Sequence, residues 1–184
     1  MANEKKTDYV LLGLLSHEPR TGYEIKKILD STMHFFWNAS FGSIYPTLQK
    51  LEQDGKIQST RSQDTGREKI TYEITPLGRE YLKEWLKKPV VKDELRFETL
   101  LKLFFGSEVG AFTTLEHIEA FEEKIQKELP ILTQYVDTLK AIDSESAHRY
   151  YMFTAMFGVK VHKAYLEWCD EIKQYLKKEG EQNV

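Results

Sequence analysis

Tyr45, Gln49, Lys50 and Gln53 recur at helical spacing inside the stretch FGSIYPTLQKLEQDGKI, residues 41–57. At 100° per residue, Gly42, Pro46, Gln49, Lys50 and Gln53 point one way, flanked by Tyr45, while Ile44, Leu48 and Leu51 form a narrow apolar stripe behind them. A glutamine amide holds donor and acceptor side by side, which fits the edge of adenine, and a lysine ammonium fits guanine or a phosphate. A face this polar and nearly uncharged suits reading a polar partner. Simple solvation is the plainer alternative for any one of these residues alone.

A second set follows closely. Between residues 56 and 69, Lys56, Arg61, Arg67 and Lys69 outweigh Asp64 and Glu68, a balance that suits phosphate contact. Catalysis finds no comparable support. The chain carries no glycine-rich phosphate loop, no Gly-x-Ser-x-Gly and no His-Glu-x-x-His, and His17, His34, His117, His148 and His162 lack ligand spacing on one helix. Neither a catalytic group, a metal site nor a cofactor is expected. The single cysteine, Cys169, excludes an intrachain disulfide and reads as a packed thiol.

These residues need elements to hold them. A densely apolar helix is predicted over 8–17, ending before Pro19. Thr21 and Glu24 form a capping box that opens a second helix to about residue 32, with Ile25, Ile28 and Leu29 inward. Ser43 is expected to cap the third, placing Pro46 in its first turn, because a start at Ser40 pushes Pro46 deeper and costs a hydrogen bond; Gly55 ends it. Ile70, Tyr72 and Ile74 then alternate with polar residues as a half-buried strand, KIQSTRSQ offers its antiparallel partner, and DTG at 64–66 supplies the turn. Thr75 and Pro76 open a fourth helix whose stripe is Leu77, Tyr81, Leu82 and Trp85.

KKPVVKDE breaks that helix and sets the expected boundary between residues 1–88 and 89–184. Beyond it everything reads as helix. Phe97 to Phe104 mark one helix, Thr113 with Glu116 a capping box for a long one, and Pro130 is expected to kink or split the latter. In the last helix, 146–178, Tyr150, Thr154, Phe157, Val161, Ala164, Trp168 and Tyr175 follow a near-heptad seam beside a second one through Tyr151, Ala155, His162, Tyr165, Ile172 and Leu176. A helix so broadly apolar needs two neighbours, and a second subunit is the expected second one. One thick intramolecular bundle is the alternative.

The chain has 184 residues, 41% hydrophobic and 30% charged, the composition of a folded soluble protein, with no apolar run long enough to span a membrane. A start of MANEKKTDYV has no signal-peptide core, so a cytoplasmic protein is expected. The net charge of −3 averages two unlike halves: 14 basic against 12 acidic residues up to position 88, a net +2, and 12 against 17 after it, a net −5. Three helices, a charged hairpin and a polar-faced third helix describe a winged helix-turn-helix, so the expected fold is mainly α with a small β-hairpin, followed by an all-helical dimerisation domain. In that geometry the third helix enters the major groove and the hairpin reaches flanking phosphates.

LLGLLSHEPRTGYEIKKIL, GSIYPTLQKLEQDGKI and REKITYEITPLGREYL together resemble the PadR-like transcriptional regulators almost continuously from Tyr9 to Leu86. The C-terminal half resembles, through weaker motifs, the helical extension of the larger members. The resemblance implies a cytoplasmic homodimer on double-stranded operator DNA, usually a repressor, that lets go when an effector or signal changes the spacing of its reading helices. It puts Tyr23, Ser43, Tyr45 and Pro46 at or near the DNA, and Arg67 and Lys69 on the wing. The aromatic-rich C-terminal half suits a small apolar or aromatic effector, although such stripes are more often core. A protein-interaction module on a winged helix scaffold is the rival function, and steep salt dependence separates DNA binding from it.

Overall fold

The computed structural model describes residues 6–37, 41–64, 67–93, 97–142 and 146–182. They fall into two compact units, 1–93 and 94–184.

In the first unit, α1 (Lys6–Leu15) buries Leu11, Leu12 and Leu15. The chain then makes a two-residue strand, β1 (Arg20–Thr21), that sequence periodicity is too short to reveal. Helix α2 (Gly22–Ile28) carries the expected capping box in full: Thr21 accepts from the Glu24 N–H and the Glu24 carboxylate accepts from the Thr21 N–H at 2.7 Å. The Thr21 N–H and hydroxyl, both donating to it, hold the Glu24 carboxyl below its usual range. A π-helical turn, Leu29–Met33, continues it. Helix α3 (Phe41–Gln53) starts earlier than expected, so Ser43 is not its cap and Pro46 sits inside it. Pro46 supplies no N–H to the carbonyl of Gly42, a loss the packing of Ile44, Leu48 and Leu51 outweighs, since burying one such side chain contributes about 1.5–3 kcal/mol.

Strands β2 (Ile57–Asp64) and β3 (Arg67–Ile74) pair antiparallel with Ile57 opposite Ile74 and Asp64 opposite Arg67, and β1 adds to the other side of β3. Thr65 and Gly66 of the expected turn lie outside the described residues. Ile57, Tyr72 and Ile74 close the same core as α1, α2 and α3. Helix α4 (Pro76–Lys87) begins as the sequence predicts, with Thr75 as cap and Pro76 in its first turn. Leu77, expected in its inner stripe, is 58% exposed; Tyr81 and Leu82 pack on the core, and Trp85 stacks on Tyr9 with centroids 4.3 Å apart. Gly78 lets α4 approach the base of the wing so closely that an added Cβ would lie 2.0 Å from the Lys56 carbonyl oxygen.

The second unit comprises α5 (Glu98–Phe104), a 3₁₀ turn at Gly106–Glu108, α6 (Gly110–Ala141) and α7 (Ser146–Gln182). Helix α6 starts at Gly110, so Thr113 is internal to it and no capping box forms, and it runs through Pro130 as one helix. Helices α6 and α7 are antiparallel: Leu132 meets Gly158, a Glu128 carboxylate oxygen lies 3.0 Å from His162 Nε2, and both carboxylate oxygens of Glu122 accept from Lys173. Phe97, Phe121 and Tyr165 meet edge to face between the helices.

Candidate nucleic-acid interface

Helix α3 has two edges and one open strip. At one edge Lys50 reaches Asp8 of α1, with Thr47 and Leu51 buried behind it, and at the other Tyr45 lies across α2. Between them Gly42, Pro46, Gln49 and Gln53 are exposed. Apart from Lys50 at its margin the strip is polar and uncharged, and its buried back fixes its direction.

Tyr45 is 44% exposed, and its ring rests on the backbone of Gly22, where an added Cβ would stand 2.7 Å from Cε1 and 3.1 Å from the hydroxyl oxygen. Gly22 therefore sets the ring's position. Tyr23, the next residue, is 68% exposed on α2. Ser43 is half-buried and its carbonyl accepts from the Thr47 hydroxyl at 2.6 Å, which turns Thr47 inward.

Lys50 departs from the sequence expectation. Its Cα belongs to the open side of α3, yet its ammonium donates to Asp8 Oδ2 on α1 at 2.6 Å, and the Asp8 side chain is only 3% exposed. That hydrogen bond holds the Lys50 ammonium above the usual lysine range. The cation is therefore committed to a buried carboxylate instead of guanine or phosphate.

On the wing, Arg61 is exposed opposite Ile70, and Lys69 opposite Ser62. Alternation along the strand puts these two side chains on opposite faces of the hairpin. Lys69 lies 3.8 Å from Glu24 of α2, so part of its charge is already met. The side chain of Arg67 lies outside the described residues. Ser59 of β2 bonds to Glu52 of α3, which fixes the wing to the strip's far end. Gln49, Pro46 and Tyr45 thus share the open side of α3, Tyr23 is exposed on α2 next to the Gly22 that carries the Tyr45 ring, Lys69 lies near α2 while Arg61 is on the other face of the hairpin, and Lys50 is drawn aside. Sequence reasoning missed Asp8 and Gly22. An acidic residue opening an apolar helix reads as a helix-dipole partner, and nothing local announces that a ring 23 positions away rests on Gly22.

Among the described residues no cluster of histidine, cysteine or acidic side chains could hold a metal, and no helix is long and apolar enough to cross a membrane. Three helices with a β-wing and an exposed polar third helix define a winged helix-turn-helix, the architecture of a DNA-binding regulator. Residues 11–84 match the Transcriptional regulator PadR-like family, and residues 95–177 match Virulence activator alpha C-term. Through residues 11–84 the chain is similar to the PadR-like transcriptional regulators, a family of DNA-binding proteins and not enzymes. It is 31% identical over 121 residues to the negative transcriptional regulator PadR of Bacillus subtilis, an alignment spanning 65% of each chain, just under two thirds of that relative's length. It superposes on the structure of Bacillus subtilis PadR in complex with operator DNA with a TM-score of 0.79 and 25% identity, covering 94% of this chain and 99% of that one. Against the Vibrio cholerae virulence activator AphA the TM-score is 0.70, with 25% identity and coverage of 94% and 98%.

Proposed function

We propose that this protein is a cytoplasmic homodimer that represses transcription by inserting α3 into the major groove of its operator. The reading strip is Gln49 with Gly42, Pro46 and Gln53, bordered by Tyr45 and the half-buried Ser43, while Tyr23 and the wing residues Arg61, Arg67 and Lys69 meet the sugar-phosphate backbone. The observation that carries this reading is the uncharged, exposed polar strip of α3, held by a buried apolar stripe beside a β-wing. Gln49 supplies base discrimination through its paired amide groups, and the tyrosine hydroxyls donate to phosphate oxygens.

The second unit supplies the dimer contact. Along α7, Tyr150, Phe157 and Tyr175 stand 69%, 65% and 72% exposed in the single chain, with Ala164 exposed among them, while Val161 and Trp168 are half-buried against their own unit. Aromatic surface in such quantity at near-heptad spacing suits a second copy of α7. A small apolar or aromatic effector then acts by binding one arrangement of the dimer more tightly than the other, since equal affinity shifts nothing.

The test is a titration of the protein against DNA from upstream of its own gene, with scrambled duplex as competitor, for the wild type and for Gln49→Ala. Competitor-resistant binding that the substitution reduces by about tenfold, the effect of one good bidentate base contact, supports the reading. Equal affinity of both proteins for both DNAs overturns it.

A further inference from the structure

Resting on the DNA-reading proposal above, we propose that Asp8 is a specificity-determining positioning residue: its buried carboxylate draws Lys50 off the DNA side of α3 and so leaves discrimination to uncharged side chains.

Lys50 lies about 40° around α3 from Pro46, within the arc of the open strip, so an unrestrained side chain there projects toward the groove. Instead its ammonium turns back toward α1 and donates to Asp8 at 2.6 Å, although half of the side chain is exposed and water is available to it. Core packing does not require a carboxylate at position 8. Asp8 is buried one turn before Leu11 and Leu12, and its second oxygen, Oδ1, has no hydrogen-bond partner among the described residues. A buried oxygen left in that state is destabilising, and a hydrophobic residue of similar volume serves a core at least as well. What the carboxylate does provide is a direction for Lys50.

The consequence for binding is electrostatic. A phosphate contact strengthens every duplex alike, whereas an amide on a base edge strengthens one sequence. A lysine free beside Gln49 can settle on a guanine edge, a thymine oxygen or a phosphate in almost any sequence, so it raises affinity for unrelated DNA and gives the operator less in return. Glu24 acts in the same sense on the wing, where it lies 3.8 Å from Lys69.

The experiment compares wild type and Asp8→Asn on scrambled duplex and on the DNA upstream of the gene, across a salt series. With one further phosphate neutralised, the slope of log affinity against log salt steepens by about 0.9, which makes the Asp8→Asn advantage on scrambled duplex grow about threefold between roughly 200 and 50 mM salt. The preference for upstream over scrambled DNA falls, and Asp8→Asn combined with Lys50→Gln returns the slope to the wild-type value. A slope unchanged in Asp8→Asn, or one that stays steep in the double variant, overturns the proposal. Should Asp8→Asn fail to fold, Lys50→Gln alone decides, since its amide can still bond to Asp8. The proposal expects its slope to equal the wild type's, and a slope shallower by about 0.9 shows Lys50 already on a phosphate and overturns it. A wild type with no preference for its own upstream DNA sinks the DNA reading itself, whereas a discriminating wild type with an unchanged Asp8→Asn slope sinks this inference alone.

Discussion

Gln49 and Lys50 are adjacent on α3, yet replacing each with alanine is expected to do opposite things. Lys50→Ala removes the partner of a carboxylate that is 2% exposed and leaves both Asp8 oxygens without one among the described residues. Breaking a fully buried ion pair costs about 3–5 kcal/mol. The Lys50 side chain is 52% exposed, so solvent screens part of the interaction and the expected loss shrinks to about 2 kcal/mol, the penalty for stranding one buried polar group. For a domain of this size that lowers the melting temperature by roughly 8–15 °C. Gln49→Ala touches only an exposed amide and stays within about 0.5 kcal/mol of wild type. The sign with pH follows from the raised lysine. Its contribution is complete below the ordinary value of 10.5 and is lost as pH rises through the higher folded value, so the gap between wild type and Lys50→Ala persists at neutral pH and closes only in strong alkali. Urea unfolding followed by tryptophan fluorescence reads this directly, because Trp85 stacks on Tyr9, next to Asp8 in sequence. Equal midpoints for wild type, Gln49→Ala and Lys50→Ala refute the interior role of Lys50.

Gly22→Ala drives a methyl group into the Tyr45 ring, but that ring is partly exposed and can swing out, so stability changes by less than about 1 kcal/mol while affinity for the upstream DNA falls. Chemical denaturation paired with DNA titration separates the two effects. Phe157→Glu, at an exposed site of α7, leaves the helical content unchanged and halves the mass seen by light scattering if α7 forms the dimer seam; an unchanged mass places the seam elsewhere. Burial pushes the Cys169 thiol up to about 11, so it resists alkylation at neutral pH in the folded protein and reacts once urea unfolds it.

Local chemistry made much of the fold legible. The Thr21–Glu24 box and the Thr75–Pro76 start depend on neighbours at most three residues apart, and the alternation of Ile70, Tyr72 and Ile74 shows in five residues. Where distant partners decide, the sequence was a poor guide. A two-residue β1 exists only because β3 passes beside it, and α6 crosses Pro130 without splitting because α7 packs along its length from Glu122 to Leu132. Phe41 rather than Ser43 begins α3, as tertiary packing of the apolar stripe overrides the preference of proline for a first turn. At the candidate interface, helical periodicity showed which residues of α3 face outward, but it was blind to Asp8, 42 positions away, which decides where the Lys50 charge goes.

Whether the strip of α3 reads DNA sequence is decided by competition titration of wild type and Gln49→Ala on the DNA upstream of the gene at two salt concentrations. A base-reading strip gives tight binding that scrambled duplex fails to displace, weakening with salt, and a loss of that preference in Gln49→Ala with the salt slope unchanged. Preference retained in Gln49→Ala together with a shallower slope would contradict it, because the strip would then be meeting phosphates and not bases.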